Sequence, residues 1–501
     1  MVRKPKEEKE SKKVDIEPSS EEYDYAYSSP HSCESLEYTG NLSVTKAQHL
    51  TVPLTEIARL ISNSGFEDFI TYPEGEAEGF HISKHWYFFG GASVWLADYG
   101  VYFYTTRVYF SPTGSKHHCT FSFVYAQLYD SDWNEVKGTL EVPQYDSAIP
   151  ESPMPFPQLL PIPFNGEQGK KYLGPEDPRI LTRRNPLGFE EPMVVFNMIS
   201  EEHDRKRLLH AYFPFTETLI KFRVYGYEPL KREKNWTPFF DPAEPSDTHV
   251  RFIYNINPLE ILLCDLESGW CKFVQGTARL TEDDVSAIDT LEDVKISEMR
   301  GGTTLWPLPA ELQSQLPASR KLYIGFARAH LTKCGCGSSM YRPNLFILEE
   351  NPETKKFAVL LNSAFLDFNI EITPWHADED QPHCTDSNVL ISNGISYWDV
   401  QEVKGKASFD DHLGLTLSSG DSNVQVIHIS GLLNYIARIP RLLNEASMDG
   451  AMSNVVGCAL RYSREYCRAY GELFENQDPE DSGFGRLWSR LGFGSATERD
   501  D

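Results

Sequence analysis

Two acids, a proline and an arginine in immediate succession, Glu176-Asp177-Pro178-Arg179, form the segment of this chain best suited to chemistry. Proline steers the residue before it away from the α region, so Asp177 is expected to be extended at the mouth of a strand that Ile180-Leu181-Thr182 begins. Arg179 then falls on the same strand face as Asp177, with Glu176 on the opposite face. A carboxylate held that way, with a cation near enough to keep it ionised, is what a general base needs. The plain alternative is a surface turn. The chain has 73 acidic residues, and Asp241-Pro242 and Asp478-Pro479 repeat the dipeptide with nothing chemical around them.

Other segments supply what such a base would need for company. Lys234-Asn235-Trp236-Thr237-Pro238-Phe239 sets a cation, an amide and an indole before a proline-fixed turn, a grouping able to hold a hydroxylated anion. Arg107 interrupts an otherwise apolar run, and Arg328 and His330 close another; an arginine inside such a strand needs a partner. Structural ion pairs would explain each of these singly. Arg300-Gly301-Gly302-Thr303-Thr304 permits close backbone approach, with loop flexibility as its simpler reading.

The elements that must position these residues are short strands. Val101 to Phe110 and Thr120 to Leu128 are aromatic and β-branched, and Ser111-Pro112-Thr113-Gly114 marks the turn of a hairpin between them. Similar runs recur from about residue 50 to 430. Many short strands with long loops fit an all-β protein, with a β-propeller catalytic domain or a β-sandwich pair as the alternatives, although no fixed sequence period is visible. From Leu432 the apolar spacing becomes helical and continues through Cys467 and Tyr470. The expected organisation is a disordered or stem-like segment over 1–49, the catalytic domain over 50–430, helices packed on it over 431–475, and a flexible tail over 476–501.

Composition excludes several functions. A net charge of -26 opposes nucleic-acid and anionic-membrane partners. Nine cysteines form no paired zinc spacing, leave at least one thiol unpaired in a monomer, and fit a secretory-pathway protein with several disulfides, although a reducing compartment remains open. No stretch reaches the roughly 20 apolar residues of a membrane span. The charged run near Met1 reads as a solvated tail or as a stem whose anchor lies outside this chain. Asn41-Leu42-Ser43 and Asn235-Trp236-Thr237 are glycosylation sequons, the second expected to stay unmodified because it lies among the candidate site residues.

Seven ordered segments together resemble the fungal β-1,2-mannosyltransferases of yeast cell-wall mannan. They are Ser93-Val94-Trp95-Leu96, Arg107 to Gly114, Gly174 to Arg179, Lys234-Asn235-Trp236, Cys334-Gly335-Cys336 with Tyr341-Arg342-Pro343-Asn344, Phe365-Leu366-Asp367-Phe368, and Asn393 to Trp398. A more distant likeness, through Glu-Asp-Pro-Arg, the arginine-bearing strand and the Lys-Asn pair, extends to the β-mannoside phosphorylases. That second likeness implies a five-bladed propeller and Asp177 as the catalytic carboxylate. The first implies inverting transfer of mannose from GDP-α-mannose to a mannoside acceptor, and a Golgi membrane enzyme with a lumenal catalytic domain.

The substrate-binding residues so implied are Glu176, Arg179, Arg107, Lys234, Asn235, Trp236, Arg328, His330, Tyr341, Arg342, Asp367 and Trp375, with Trp236, Tyr341 and Trp375 as sugar platforms. No cofactor or metal is expected. Asp130-Ser131-Asp132 and Asp378-Glu379-Asp380 match the Asp-x-Asp string of metal-dependent transferases, but both lie in turn-like contexts. Phosphorolysis or hydrolysis of β-mannosides by the same Asp177, and a non-catalytic glycan-binding propeller, stand as alternatives.

Overall fold

A computed structural model describes residues 42–62, 66–75, 81–143, 153–164, 169–244, 248–276, 298–375, 384, 386–403, 408–439, 442 and 455–475. The chain is mostly β-strand, with short helices and one long C-terminal helix, Val455–Glu475. Five strand groups follow one another in sequence. The first runs Trp86–Leu96, Val101–Phe110, Phe121–Tyr129 and Glu135–Val136, and the second Glu176–Arg184, Glu190–Ser200, Lys206–Phe213 and Thr218–Lys221. The third runs Thr237–Phe239, His249–Asn255, Glu260–Asp265 and Trp270–Gln275.

In the fourth, Lys321–Thr332, Ser339–Asn351 and Lys356–Asn362 follow two short strands, Met299–Arg300 and Trp306–Pro307. The fifth, Ser387–Glu402, Phe409–Ser419 and Val424–Ser430, is completed by Ser43–Val44 and Gln48–Leu50, both paired antiparallel to Val424–Ser430. Fourth and fifth join into one sheet where Ser339–Tyr341 runs parallel to Ser387–Val389. Among the described residues no sheet closes on itself, and the joined sheet branches at Ser339–Asn351, which pairs with three strands.

Apolar side chains tie each group to the next. Phe103 and Ala92 pack with Ile180 and Phe196, Val195 and Phe213 with Phe252 and Leu262, Phe239 and Ile253 with Tyr323 and Leu348, and Ile324 and Ile347 with Leu413 and Ile427. Tyr102, Tyr104 and Tyr129 of the first group meet Val424 and Val426 of the fifth, so the packing returns to its start.

The strands expected from periodicity are present, most of them longer than expected. The hairpin at Ser111–Gly114 forms, and all ten residues of Val101–Phe110 are buried. Two differences stand out. Residues 43–49, assigned from sequence to the N-terminal segment, contribute to strands of the fifth group, because alternation over two or three residues is too short to register as periodicity. Helices Leu54–Ile61 and His81–His85 precede the first group, where only strands were expected. Residues 1–41, the second Asp-x-Asp string and the tail over 476–501 lie outside the described residues.

The expected C-terminal helices are Leu432–Ala437 and Val455–Glu475. Val456, Ala459, Tyr466, Cys467 and Tyr470 of the long helix pack with Phe365 and Met340 of the fourth group. Disulfides bind Cys334 to Cys467, Cys336 to Cys384 and Cys264 to Cys271; Cys458 is also oxidised, and Cys119 is a free, buried thiol. Several disulfides and an unpaired thiol match the expectation from the odd count.

The helix approaches the Cys-Gly-Cys turn so closely that a Cβ on Gly471 would stand 1.8 Å from the carbonyl oxygen of Gly335, itself at φ 124°. Gly471→Ala must therefore push helix from turn, with an expected loss of about 1–3 kcal/mol. Urea unfolding followed by near-UV circular dichroism would read it; an unchanged midpoint would mean the turn yields freely.

Candidate active site

Four strand groups open onto a cleft of ≈ 290 Å³, lined by Phe89 and Gly90 of the first, Asp177, Pro178 and Arg179 of the second, Gly302 and Arg328 of the fourth, and Ile391, Ser392 and Asn393 of the fifth. Local backbone chemistry brings these residues together. The glycine pair Gly90-Gly91 bulges strand Trp86–Leu96 between Phe89 and Ala92, and a Cβ on Gly91 would meet the Tyr104 hydroxyl at 2.4 Å. Ser418 Oγ accepts a hydrogen bond from the Gly90 amide at 2.9 Å and another from Asn393 Nδ2 at 2.7 Å, linking first and fifth groups at the cleft.

Asp177 stands at the cleft with its side chain 28% exposed. Its backbone is not extended as expected: φ is 55°. The register of Glu176–Arg184 on Glu190–Ser200 shifts between Glu176 and Arg179, and this bulge sets the conformation while Asn197 Nδ2 donates to the Glu176 carbonyl at 3.1 Å and Ser122 Oγ to that of Pro175 at 2.6 Å. A non-glycine residue at positive φ costs of order 1–3 kcal/mol and persists where its surroundings over-determine it.

The cation at Asp177 is Arg107, with Nη1 3.3 Å from Oδ1 and Nη2 3.5 Å from Glu176 Oε2. Glu176 also accepts from Arg207 Nε at 2.9 Å. Phe89 and Tyr109 flank the Arg107 guanidinium at 5.4 and 5.3 Å, and its Nη2 lies 3.6 Å from Cys119 Sγ, whose thiol burial pushes up to about 12. Burial alone would raise the Asp177 carboxyl; Arg107, Lys234, Arg328 and Arg179 outweigh it and hold it at about 2.

Lys234 makes no hydrogen bond or ion pair among the described residues, and burial pushes its ammonium below the usual lysine range against the pull of Asp177 and Glu176. Arg328 donates through Nη2 to the Asn235 side-chain oxygen, Asn235 itself standing at φ 65°. Arg300 lies in the same field, lowered by burial and by Arg328. His330, grouped from sequence with Arg328, is neutral near pH 7: burial, Arg300, Arg328 and Lys234 push it to about 4, and its ring stacks on Tyr341 at 4.1 Å. Trp375 is 8% exposed, with a buried Nε1 that has no hydrogen-bond partner among the described residues.

Four sequence-derived candidates are differently placed. Arg179 turns from Asp177 and donates to the carbonyls of Trp236 at 2.7 Å and Gly301 at 2.9 Å, so it clamps the third and fourth groups to the second. Trp236 is 3% exposed and packs edge-on to Phe252 and Tyr254, which leaves no open ring face for a sugar. Arg342 is fully buried on Asn388 and over the Tyr470 ring. Asp367 is buried and accepts from the Tyr466 hydroxyl at 2.6 Å, which ties it to the long helix. The Asp130 carboxylate caps its own turn, accepting from the amides of Asp132 at 2.9 Å and Asn134 at 2.8 Å.

Sequence reading missed Asp421, in the turn between the last two strands, because Ser-Gly-Asp-Ser-Asn is ordinary turn composition. Its Oδ1 is buried without a hydrogen-bond partner among the described residues. Burial and the charge of Asp177 push its carboxyl up to about 6, against Lys116, Arg328 and Arg107. Asp421 is therefore neutral below that pH and charged above it. We expect kcat/KM to bend near pH 6 and the bend to vanish in Asp421→Asn; a bend surviving that substitution would belong to another group.

The sequence model for Beta-mannosyltransferases matches residues 32–211 and 210–466. The protein is thus an enzyme of the glycosyltransferase class. More particularly, the chain belongs to the β-mannosyltransferase family. It is 36% identical to Beta-mannosyltransferase 7 of Candida albicans over 525 residues, covering 88% of this chain and 78% of the relative. To Beta-mannosyltransferase 1 of Komagataella phaffii it is 34% identical over 473 residues, covering 88% and 68%. Among solved structures, a mannose phosphorylase from Leishmania mexicana matches at 11% identity and a TM-score of 0.34, covering 78% of this chain and 99% of that one. A GDP-Man-dependent mannosyltransferase from the same organism matches at 10% and 0.33, covering 79% and 97%.

Proposed function

We propose that the protein moves mannose from GDP-α-mannose to a mannoside hydroxyl of cell-wall mannan, forming a β-1,2 bond with inversion, and that Asp177 is its general base. The observation that carries this reading is the charge distribution at the cleft. One partly exposed, ionised carboxylate stands among Arg107, Lys234, Arg328 and Arg179, Arg300 is coupled to Arg328, and Lys234 has no ion-pair partner among the described residues. Excess buried positive charge of this kind suits an anionic donor.

In the proposed reaction the acceptor oxygen gives its proton to Asp177 and attacks the anomeric carbon as the bond to the diphosphate breaks. GDP departs as an anion facing Lys234, Arg300 and Arg328. A single displacement inverts, so one base suffices. Trp375 and Tyr341 are the proposed sugar platforms, and no metal is required in this reading.

The frame we infer is a five-bladed propeller over 50–430, completed at its start by the strands within 43–50. Five strand groups in chain order, apolar packing that returns from the fifth to the first, and N-terminal strands completing the fifth support it. A Golgi membrane location with a lumenal catalytic domain is proposed from the family; among the described residues no helix is long and apolar enough to cross a membrane.

The test is to incubate the enzyme and a mannoside acceptor with GDP-mannose or with mannose-1-phosphate, and to determine product linkage by NMR. Consumption of GDP-mannose alone, with a β-1,2 product, is expected. Consumption of mannose-1-phosphate would favour the phosphorylase reading, and another linkage would overturn the regiochemistry.

A further inference from the structure

A lysine that the reaction itself does not use joins the two ends of the strand cycle beside the site. Lys116 lies in the loop that closes the first hairpin, and its Nζ donates to the Gly420 carbonyl at 2.5 Å, in the turn that carries Asp421. The same Nζ stands 5.0 Å from the centre of the Trp375 ring. Turn and tryptophan are themselves clasped. Ser419 Oγ accepts from the Thr373 amide at 2.7 Å, and Asn423 Nδ2 donates to Thr373 Oγ1 at 2.8 Å. The Gly420 backbone passes so close that a Cβ there would lie 2.5 Å from the Thr373 carbonyl. Lys116 is thus the cation that the indole face and the turn share across the meeting of first and fifth groups.

We propose that Lys116 is a positioning residue: its ammonium holds the Trp375 ring and the Asp421 turn in register with each other, and so sets the platform on which the sugar acceptor lies. The proposal rests on the reading of Trp375 as a sugar platform. A neutral acceptor takes the ring, because the diphosphate is matched by Lys234, Arg300 and Arg328. A cation over an indole contributes roughly 0.5–2 kcal/mol, more as the site is drier, and only while it is charged. The ammonium is already easy to discharge. Burial pushes it to about 8, opposed by the Asp421 carboxylate.

His117, next in the loop, faces Asp386 at 3.5 Å and lies 5.1 Å from the Trp375 ring, and Asp421 is in turn coupled to Asp177, Arg328 and Arg107. As pH passes about 8 the latch loses its charge while Asp177, held at about 2, keeps its own.

The experiment compares wild type, Lys116→Met and Lys116→Arg for acceptor KM and kcat between pH 6.5 and 9.5, and follows intrinsic tryptophan fluorescence over the same range. At pH 7, Lys116→Met is expected to raise acceptor KM about tenfold with kcat changed less than threefold, and Lys116→Arg to recover most of the loss. Wild-type KM should rise through pH 8, and KM of Lys116→Met should stay flat. A fluorescence transition near pH 8 in wild type should be absent from Lys116→Met and from Trp375→Phe. Wild-type KM in Lys116→Met, or a transition that persists in it, overturns the proposal. Activity surviving in Asp177→Asn would sink the reading of the base yet leave the fluorescence test of the latch intact.

Discussion

Asp177→Asn is expected to lower kcat by about 10²–10⁴-fold, the usual contribution of a positioned base, with little change in KM for the donor. The substitution is chosen for its backbone as much as its chemistry. Asparagine tolerates positive φ, so the φ of 55° at this position is kept, and the side chain retains its size. Arg107 keeps Glu176 as a partner 3.5 Å away, so no buried charge is left alone. What disappears is the capacity to accept a proton. Wild-type kcat should be independent of Asp177 titration at any pH well above 2, because the surrounding cations hold the carboxyl about there. Rate measurements with GDP-mannose, beside a thermal melt showing an intact fold, would decide it. A variant keeping more than a tenth of the rate would place the base elsewhere.

Arg107→Met should weaken the whole frame. The arginine lies in a strand buried along its length and serves two carboxylates, so its removal leaves Asp177 without its nearest cation and Glu176 with Arg207 alone. Breaking a buried pair from one side costs about 3–5 kcal/mol, and methionine still fills the space between Phe89 and Tyr109.

The sign with pH follows from Asp177. Its carboxyl lies at about 2 in the folded chain against an ordinary 3.8, so its ionised form adds stability that is full above the ordinary value and is lost as pH falls towards 2. The gap between wild type and Arg107→Met should therefore be widest near pH 7 and narrow below pH 4. Urea unfolding at both pH values would measure it; an equal gap at both would mean that Arg107 acts by packing alone. The same variant should lose rate, because the Asp177 carboxylate loses the guanidinium that orients it.

The central pair of the site was legible because residue types alone nearly determine it. Arg107 in an apolar strand demanded an anion, and Asp177 beside a proline demanded a cation. The geometry between them was less legible. Pro178 limits the backbone of Asp177, but it is the bulge opposite Asn197 that selects the left-handed conformation and sends Arg179 to the carbonyls of Trp236 and Gly301.

Arg342 and Asp367 were assigned to the site because an isolated charge in a recognisable segment looks functional. Their partners, Asn388 and Tyr466, lie 46 and 99 residues further along the chain, and no local pattern announces them. Asp421 and Lys116 failed to register for the opposite reason. Each sits in common turn or loop composition, and the contact that gives them meaning spans 304 residues. Strands were visible wherever five or more alternating or β-branched residues ran together, and invisible at 43–50, where pairing with Val424–Ser430 does what periodicity could not.

That pairing imposes an order of events on a chain made from one end to the other. Gln48 bonds across to Val426, so strands synthesised early wait for roughly 380 further residues before their partner exists, and the pairing is among the least local in the molecule. The turn bearing Asp421 is the hairpin end of that late partner strand. A nascent or truncated chain that has formed its first four strand groups thus holds Asp177 and Arg107 together while the far wall of its cleft is still missing. The cleft is complete only once the fifth group, with its Ile391–Asn393 wall, has joined the first.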